Sequence, residues 1–137
     1  MREILFRGKR VDNGEWVYGL LCRVGDTYAN IVEKSTEVMC TVLTNTIGQS
    51  TGLTDKNGKK IFEGDIIHLE YSQVFFGGVY FGEYSAEVSY KEGCFITDGI
   101  NNGDEIETPL SGFNNDEVEI IGNIHDNPEL LGGESDG

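Results

Sequence analysis

Lys59-Lys60-Ile61-Phe62-Glu63-Gly64-Asp65-Ile66-Ile67 decides the fold. Two apolar residues arrive, an acid-glycine-acid triplet turns the chain, and two β-branched residues leave it. Glycine at the centre supplies a backbone conformation that other residues avoid, and an aspartate after it can bond to nearby backbone N–H groups. Such a triplet leads the chain into a strand, not a helix. Just upstream, Thr54-Asp55-Lys56-Asn57-Gly58-Lys59 is a second reversal, in which Asn-Gly tolerates positive φ and the lysines keep the turn solvated.

Working outward, period-2 alternation recurs and helical periodicity hardly does. Towards the N-terminus, Trp16, Tyr18, Leu20 and Cys22 alternate with Glu15, Val17, Gly19, Leu21 and Arg23, a strand with one bulky face. Val24-Gly25-Asp26-Thr27 turns it into a second strand, Tyr28 to Glu33, and Val38 to Leu43 is a third. Towards the C-terminus, Asp65 to Tyr71 is a strand. Ala86, Val88 and Tyr90 then alternate with Glu87, Ser89 and Lys91, and Glu92-Gly93 turns the chain back through Cys94 to Asp98. Residues 98–116 are polar and read as loop, and Glu117 to Ile121 is a last strand. In Asn127-Pro128-Glu129-Leu130-Leu131, Asn caps a short helical turn, Pro takes its first position and the leucines dock on the core. Short strands between glycine-rich turns, without room for crossover helices, predict a small barrel, closed or nearly so, or a sandwich.

Composition agrees. Hydrophobic residues make up 38% and charged residues 25% of 137 residues, which suits one folded domain. Glycine at 19 residues and proline at two favour β turns over helices. The expected organisation is one β domain over 1–131, with an antiparallel meander over about 1–58, a core over about 59–131 and a disordered tail at 132–137.

The net charge of -14 is uneven: Arg2, Arg7, Lys9 and Arg10 cluster in the first ten residues, whereas from Asn101 onward there are ten acids and no Lys or Arg. Binding phosphates needs clustered cations, so direct nucleic-acid binding is not expected. The acidity keeps the protein soluble, or else presents a face to a basic partner. Cys22, Cys40 and Cys94 are odd in number and lack C-x-x-C spacing, which suits reduced thiols. With no apolar leader after Met1 and no membrane-length run, a cytoplasmic location away from membranes is expected.

Candidate chemistry is thin. Gly48 to Gly52 has the glycines of a phosphate loop, but Leu53 and Thr54 stand where Lys and Ser or Thr are needed, so a constrained turn is expected. Glu63 and Asp65 flank Gly64 as turn builders and have no evident catalytic partner. His125 with Asp126, and His68, lack metal-ligand spacing, and His125 is expected to fix the turn before Asn127-Pro128. No base adjoins a cysteine. Neither an enzyme nor a cofactor or metal site is expected.

The stretch from Tyr71 to Tyr84 is different. Tyr71, Phe75, Phe76, Tyr80, Phe81 and Tyr84 are six of the chain's thirteen Phe and Tyr residues, around Gly77-Gly78. Aromatics here either fill the core or form a contact surface, since interface centres favour them. All six are the candidate interaction surface.

Three stretches together resemble the YopX family of phage and prophage proteins. They are Phe6-Arg7-Gly8-Lys9-Arg10 with Gly14-Glu15-Trp16-Val17-Tyr18-Gly19, then Thr46-Ile47-Gly48-Gln49 through Gly64-Asp65-Ile66, then Ile121-Gly122-Asn123-Ile124-His125-Asp126-Asn127-Pro128-Glu129-Leu130-Leu131. The resemblance implies an SH3-like barrel and a viral or prophage origin, and brings no known reaction. Ser50 stands where relatives commonly carry an aromatic residue, and Tyr71 to Tyr84 falls in a variable region. The expected function is therefore that of a non-enzymatic accessory protein in the host cytoplasm, acting by protein–protein contact and self-association as a homo-oligomer. An acidic decoy for a basic, DNA-binding host or phage protein is the alternative, and a hydrolase or nucleotide-binding enzyme is a further one.

Overall fold

The computed structural model describes residues 4–101 and 103–132, with the side chains of Gln73 and Phe75 outside the description. The chain divides into two compact units, Met1–Gly52 and Leu53–Gly137. The division falls six residues before the expected boundary at 58.

The first unit is antiparallel. Its strands are β1 (Phe6–Lys9), β2 (Trp16–Val24), β3 (Tyr28–Glu33), β4 (Met39–Leu43) and β5 (Gly48–Thr54), whose end runs into the second unit. They lie in the order β4-β3-β2-β1-β5. The meander β2-β3-β4 stands where the sequence put it, but one element departs from expectation. Gly48 to Gly52 is strand, not turn, pairing Gly48 and Gln49 with Arg7 and Phe6. The buried Ser50 hydroxyl accepts the Leu5 N–H at 3.3 Å, so a small polar residue closes this ladder. In β2 the bulky parity faces outward: Tyr18 and Leu20 are exposed, while Val17 is buried with Ala29, Ile31, Cys40 and Val42. Close approach explains the choice, because the Val32 carbonyl lies where any side chain at Gly19 would begin.

In the second unit, β6 (Lys60–Phe62) leads through the Glu63-Gly64 turn into β7 (Asp65–Phe75). Gly64 has φ 93°, and the Asp65 Oδ2 accepts the Phe62 N–H at 2.8 Å. The deciding stretch is thus built as its sequence predicts. Then come β8 (Gly78–Lys91), β9 (Cys94–Asn101), β10 (Asp104–Pro109), β11 (Val118–Asn123) and the single-turn helix α1 (Glu129–Gly132). The sheet order is β10-β9-β8-β7-β11, antiparallel throughout. The ladder ends at β10 and β11, and no closed barrel forms among the described residues. Ile61, Ile67, Leu69, Ala86, Val88, Leu110 and Val118 make the core, with Tyr84 at its margin. Burying each Val, Leu or Ile of this group contributes about 1.5–3 kcal/mol.

The expected loop over 98–116 is mostly regular structure. β9 continues to Asn101, β10 pairs Asp104 to Pro109 with it, and 3-10 turns cover Leu110–Gly112 and Asn115–Glu117. A polar strand escapes a hydrophobicity reading when one face is wet. Ile106 is the only aliphatic residue of β10, and it packs against the core. The C-terminal helical turn is present, although Leu130 stays 39% exposed. The expected tail at 132–137 lies outside the described residues but for Gly132, which closes α1.

Candidate functional site

Three strand pairings define a projecting arm. β7 pairs with β11 only over Asp65 to Leu69, and β8 pairs with β9 only from Ala86 onward. Yet β7 and β8 stay paired with each other from Ile66↔Glu87 to Phe75↔Gly78. Residues 70–83 are therefore a two-stranded hairpin that outruns both neighbours, closed at Phe76-Gly77. An isolated two-stranded hairpin is marginal in water, so its base matters.

That base is held by two of the predicted aromatics. The Tyr84 ring is 9% exposed and meets the Tyr71 ring edge-on at 6.1 Å between centroids. Tyr71 lies over its cross-strand partner Gly82, and its hydroxyl accepts the Asn101 Nδ2–H at 2.9 Å. A side chain at Gly82 would collide with that ring. Beside this base lies a cleft of ≈ 520 Å³, lined among others by Tyr71, Tyr84, Asn101, Ile106 and Phe113.

The other predicted residues part from these two. Phe76 at the tip is fully exposed, Phe81 is 82% exposed and Tyr80 is 53% exposed. The Phe75 side chain lies outside the described residues; its backbone pairs with Gly78. The five aromatics whose side chains are described are thus of two kinds, Tyr71 and Tyr84 packed at the base and Phe76, Tyr80 and Phe81 exposed above it. Reading the residues for aromaticity alone missed Val74 and Val79, which are cross-strand partners and also exposed. Counting outward from Gly77 would have found them.

Strand alternation gives the hairpin two faces. Tyr71 and Tyr80 share the parity of the core residues. Ser72, Val74, Val79 and Phe81 share the outer parity, which continues down the sheet as Glu70, Glu83, Ser85 and Glu87. Glu87 is directly opposite Asp98, and Asp98 is opposite Glu107, so three carboxylates form one row across β8, β9 and β10. Partial burial, then Asp98 and Glu63, push the Glu87 carboxyl above its ordinary value. His68 Nε2 lies 3.2 Å from Glu83 Oε1, and Lys91 Nζ bonds Glu107 at 3.0 Å.

Elsewhere, titratable groups serve the fold. Asp55 is buried at 1% exposure and accepts three backbone N–H groups: Asn57 and Lys59 on Oδ1 at 2.9 Å, and Ile120 on Oδ2 at 3.0 Å. Burial alone would raise its pKa, but the donors of Ile120, Lys59 and Asn57 outweigh it and hold the carboxyl below the ordinary range. At the turn before Asn127-Pro128, Asn123 Oδ1 accepts the N–H groups of His125 and Asp126, and Asn127 Oδ1 accepts that of Asn123. Asparagine side chains thus close this turn, with the His125 N–H as one of its donors. Gly48 to Thr54 is extended and leads into a second strand instead of a helix, unlike a phosphate loop. Among the described residues no group of His, Cys, Asp and Glu is arranged to hold a metal ion, and no helix is long and apolar enough to cross a membrane.

Fold and site define a mainly β protein of antiparallel sheets whose second unit projects an apolar-tipped hairpin. The model of the YopX protein family matches residues 5–132, and the chain belongs to that family. The resemblance carried by the three sequence stretches is thereby borne out. No curated protein matches the chain. Among solved structures, protein EF1440 from Enterococcus faecalis is similar, with a TM-score of 0.55 and 24% identity over 96% of this chain and 99% of that one. That likeness is one of fold.

Proposed function

We propose that this protein is a non-enzymatic accessory protein that works by protein–protein contact, with the β7-β8 hairpin as its contact element and self-association as one use of it. The observation behind this reading is the exposure of Phe76, Tyr80 and Phe81 on residues 70–83, which among the described residues pair with each other and with no further strand of the sheet. Large side chains left in water cost solubility unless another surface covers them. Tip and core-parity side, Phe76 and Tyr80, are the part available to a second copy, because the outer parity is flanked by carboxylates that two copies would bring together. A phage or prophage setting in the host cytoplasm goes with this reading.

Light scattering over a concentration series tests it. The wild type should grow beyond the monomer mass, and Phe76→Ser/Tyr80→Ser should remain monomeric with an unchanged unfolding temperature. A wild-type monomer at every concentration, or a double variant that associates as well as the wild type, would contradict self-association.

A further inference from the structure

The outer face of the second sheet changes character along its length. At the tip, Val74, Val79 and Phe81 are exposed and apolar. Glu70 and Glu83 follow as a directly opposed pair, and beyond them comes the row of Glu87, Asp98 and Glu107. Acids directly opposite one another destabilise a sheet, so this arrangement costs the isolated fold something. Lys91 answers Glu107, and the His68 imidazole lies beside Glu83. At the Glu87 and Asp98 end no cation among the described residues stands opposite in the ladder, and partial burial, then the Asp98 charge, hold the Glu87 carboxyl above its ordinary range.

We propose that this face binds a basic polypeptide segment of another protein, its lysines or arginines over Glu87 and Asp98 and its apolar side chains against Phe81 and Val74. This rests on the reading of the hairpin as a contact element and names the chemistry of a second partner. Charge complementarity selects the occupant. Another copy of this chain would set acid against acid, and a nucleic acid would set phosphate against carboxylate. A purely cationic chain would leave Phe81 in water. An extended segment with apolar residues at one end and basic residues at the other, each kind repeating at every second position so that it faces the sheet, places both where the face has a use for them.

Fluorescence anisotropy with two labelled peptides tests this, a Lys–Leu peptide with a Lys-rich half followed by a Leu-rich half, and a Lys–Ser peptide in which Ser replaces every Leu. The full chain should prefer the Lys–Leu peptide. Glu87→Gln/Asp98→Asn should weaken both peptides about tenfold at low salt and flatten the salt dependence. Val74→Ser/Phe81→Ser should remove the preference and leave the Lys–Ser peptide unaffected. Glu15→Gln/Asp26→Asn, which removes equal charge from the first unit, should change neither. The proposal is overturned if that first-unit pair weakens binding as much as the face pair, since binding would then follow net charge alone. It is equally overturned if the Val74/Phe81 variant keeps the preference. Phe76→Ser/Tyr80→Ser should bind the Lys–Leu peptide with wild-type affinity whether or not the wild type self-associates, which separates failure of this inference from failure of the self-association reading.

Discussion

Asp55 Oδ2 accepts the backbone N–H of Ile120 at 3.0 Å, tying a turn to a strand 65 residues away. The same carboxylate closes its own turn through Asn57 and Lys59, and the Lys56 N–H reaches the Val118 carbonyl at 2.9 Å. One buried charge therefore holds both ends of the second unit's sequence in register. Asp55→Asn keeps the shape but turns an amide donor towards one of those N–H groups. It should cost about 2 kcal/mol, and Asp55→Ala about 3 kcal/mol. Urea denaturation measures both.

The same group gives a pH signature. Its folded pKa is depressed, so its stabilisation is complete above the unfolded carboxyl value of about 4 and is lost as pH falls through the folded value. The gap in stability between wild type and Asp55→Asn should be widest at neutral pH and should shrink steadily through the acid range. A gap independent of pH would mean that the carboxylate is not what the turn requires.

Glu87 runs the other way. Its folded pKa is raised, so the folded state holds that proton more tightly than the unfolded chain, and ionisation destabilises the fold as pH rises through the raised value. Glu87→Gln should stabilise the protein by about 0.5 kcal/mol at neutral pH, the scale of opposed like charges on a sheet. The advantage should vanish in acid, where the wild-type carboxyl is protonated. Thermal melts at two pH values decide it.

How much of this was legible in the sequence differs from residue to residue. Glu63-Gly64-Asp65 was readable because the bond that shapes the turn is local, Asp65 meeting Phe62 three residues away; the bonds of Gly64 to Val88 and Ile124 were not. The turn at Asp55 to Lys59 was readable for the same reason, but its hold on Ile120 was not, since no local pattern encodes a partner 65 residues distant. β10 was hidden because only Ile106 marks its buried side. The aromatic stretch was visible as a group. Separating anchors from contact residues needed the register, which puts Tyr84 opposite Leu69 and Tyr71 opposite Gly82 and leaves Phe81 on the far parity.

Gly82 is the point at which arm and body meet. The Tyr71 ring occupies the space above it, and Asn101 fixes the ring from the other side. Gly82→Val should displace Tyr71, destabilise the protein by about 1–3 kcal/mol and loosen the arm. Limited proteolysis should then cut within 72–81 faster than in the wild type, while sites in the first unit keep their rate.

The central claim, that the hairpin is the contact element, is tested most directly by hydrogen exchange measured by mass spectrometry at low and high protein concentration. A bare two-stranded arm exchanges quickly. Peptides covering 72–81 should gain protection at high concentration in the wild type but not in Phe76→Ser/Tyr80→Ser, with the rest of the second unit unchanged. Exchange in 72–81 that is the same at both concentrations, or protection that rises elsewhere and not there, would contradict it.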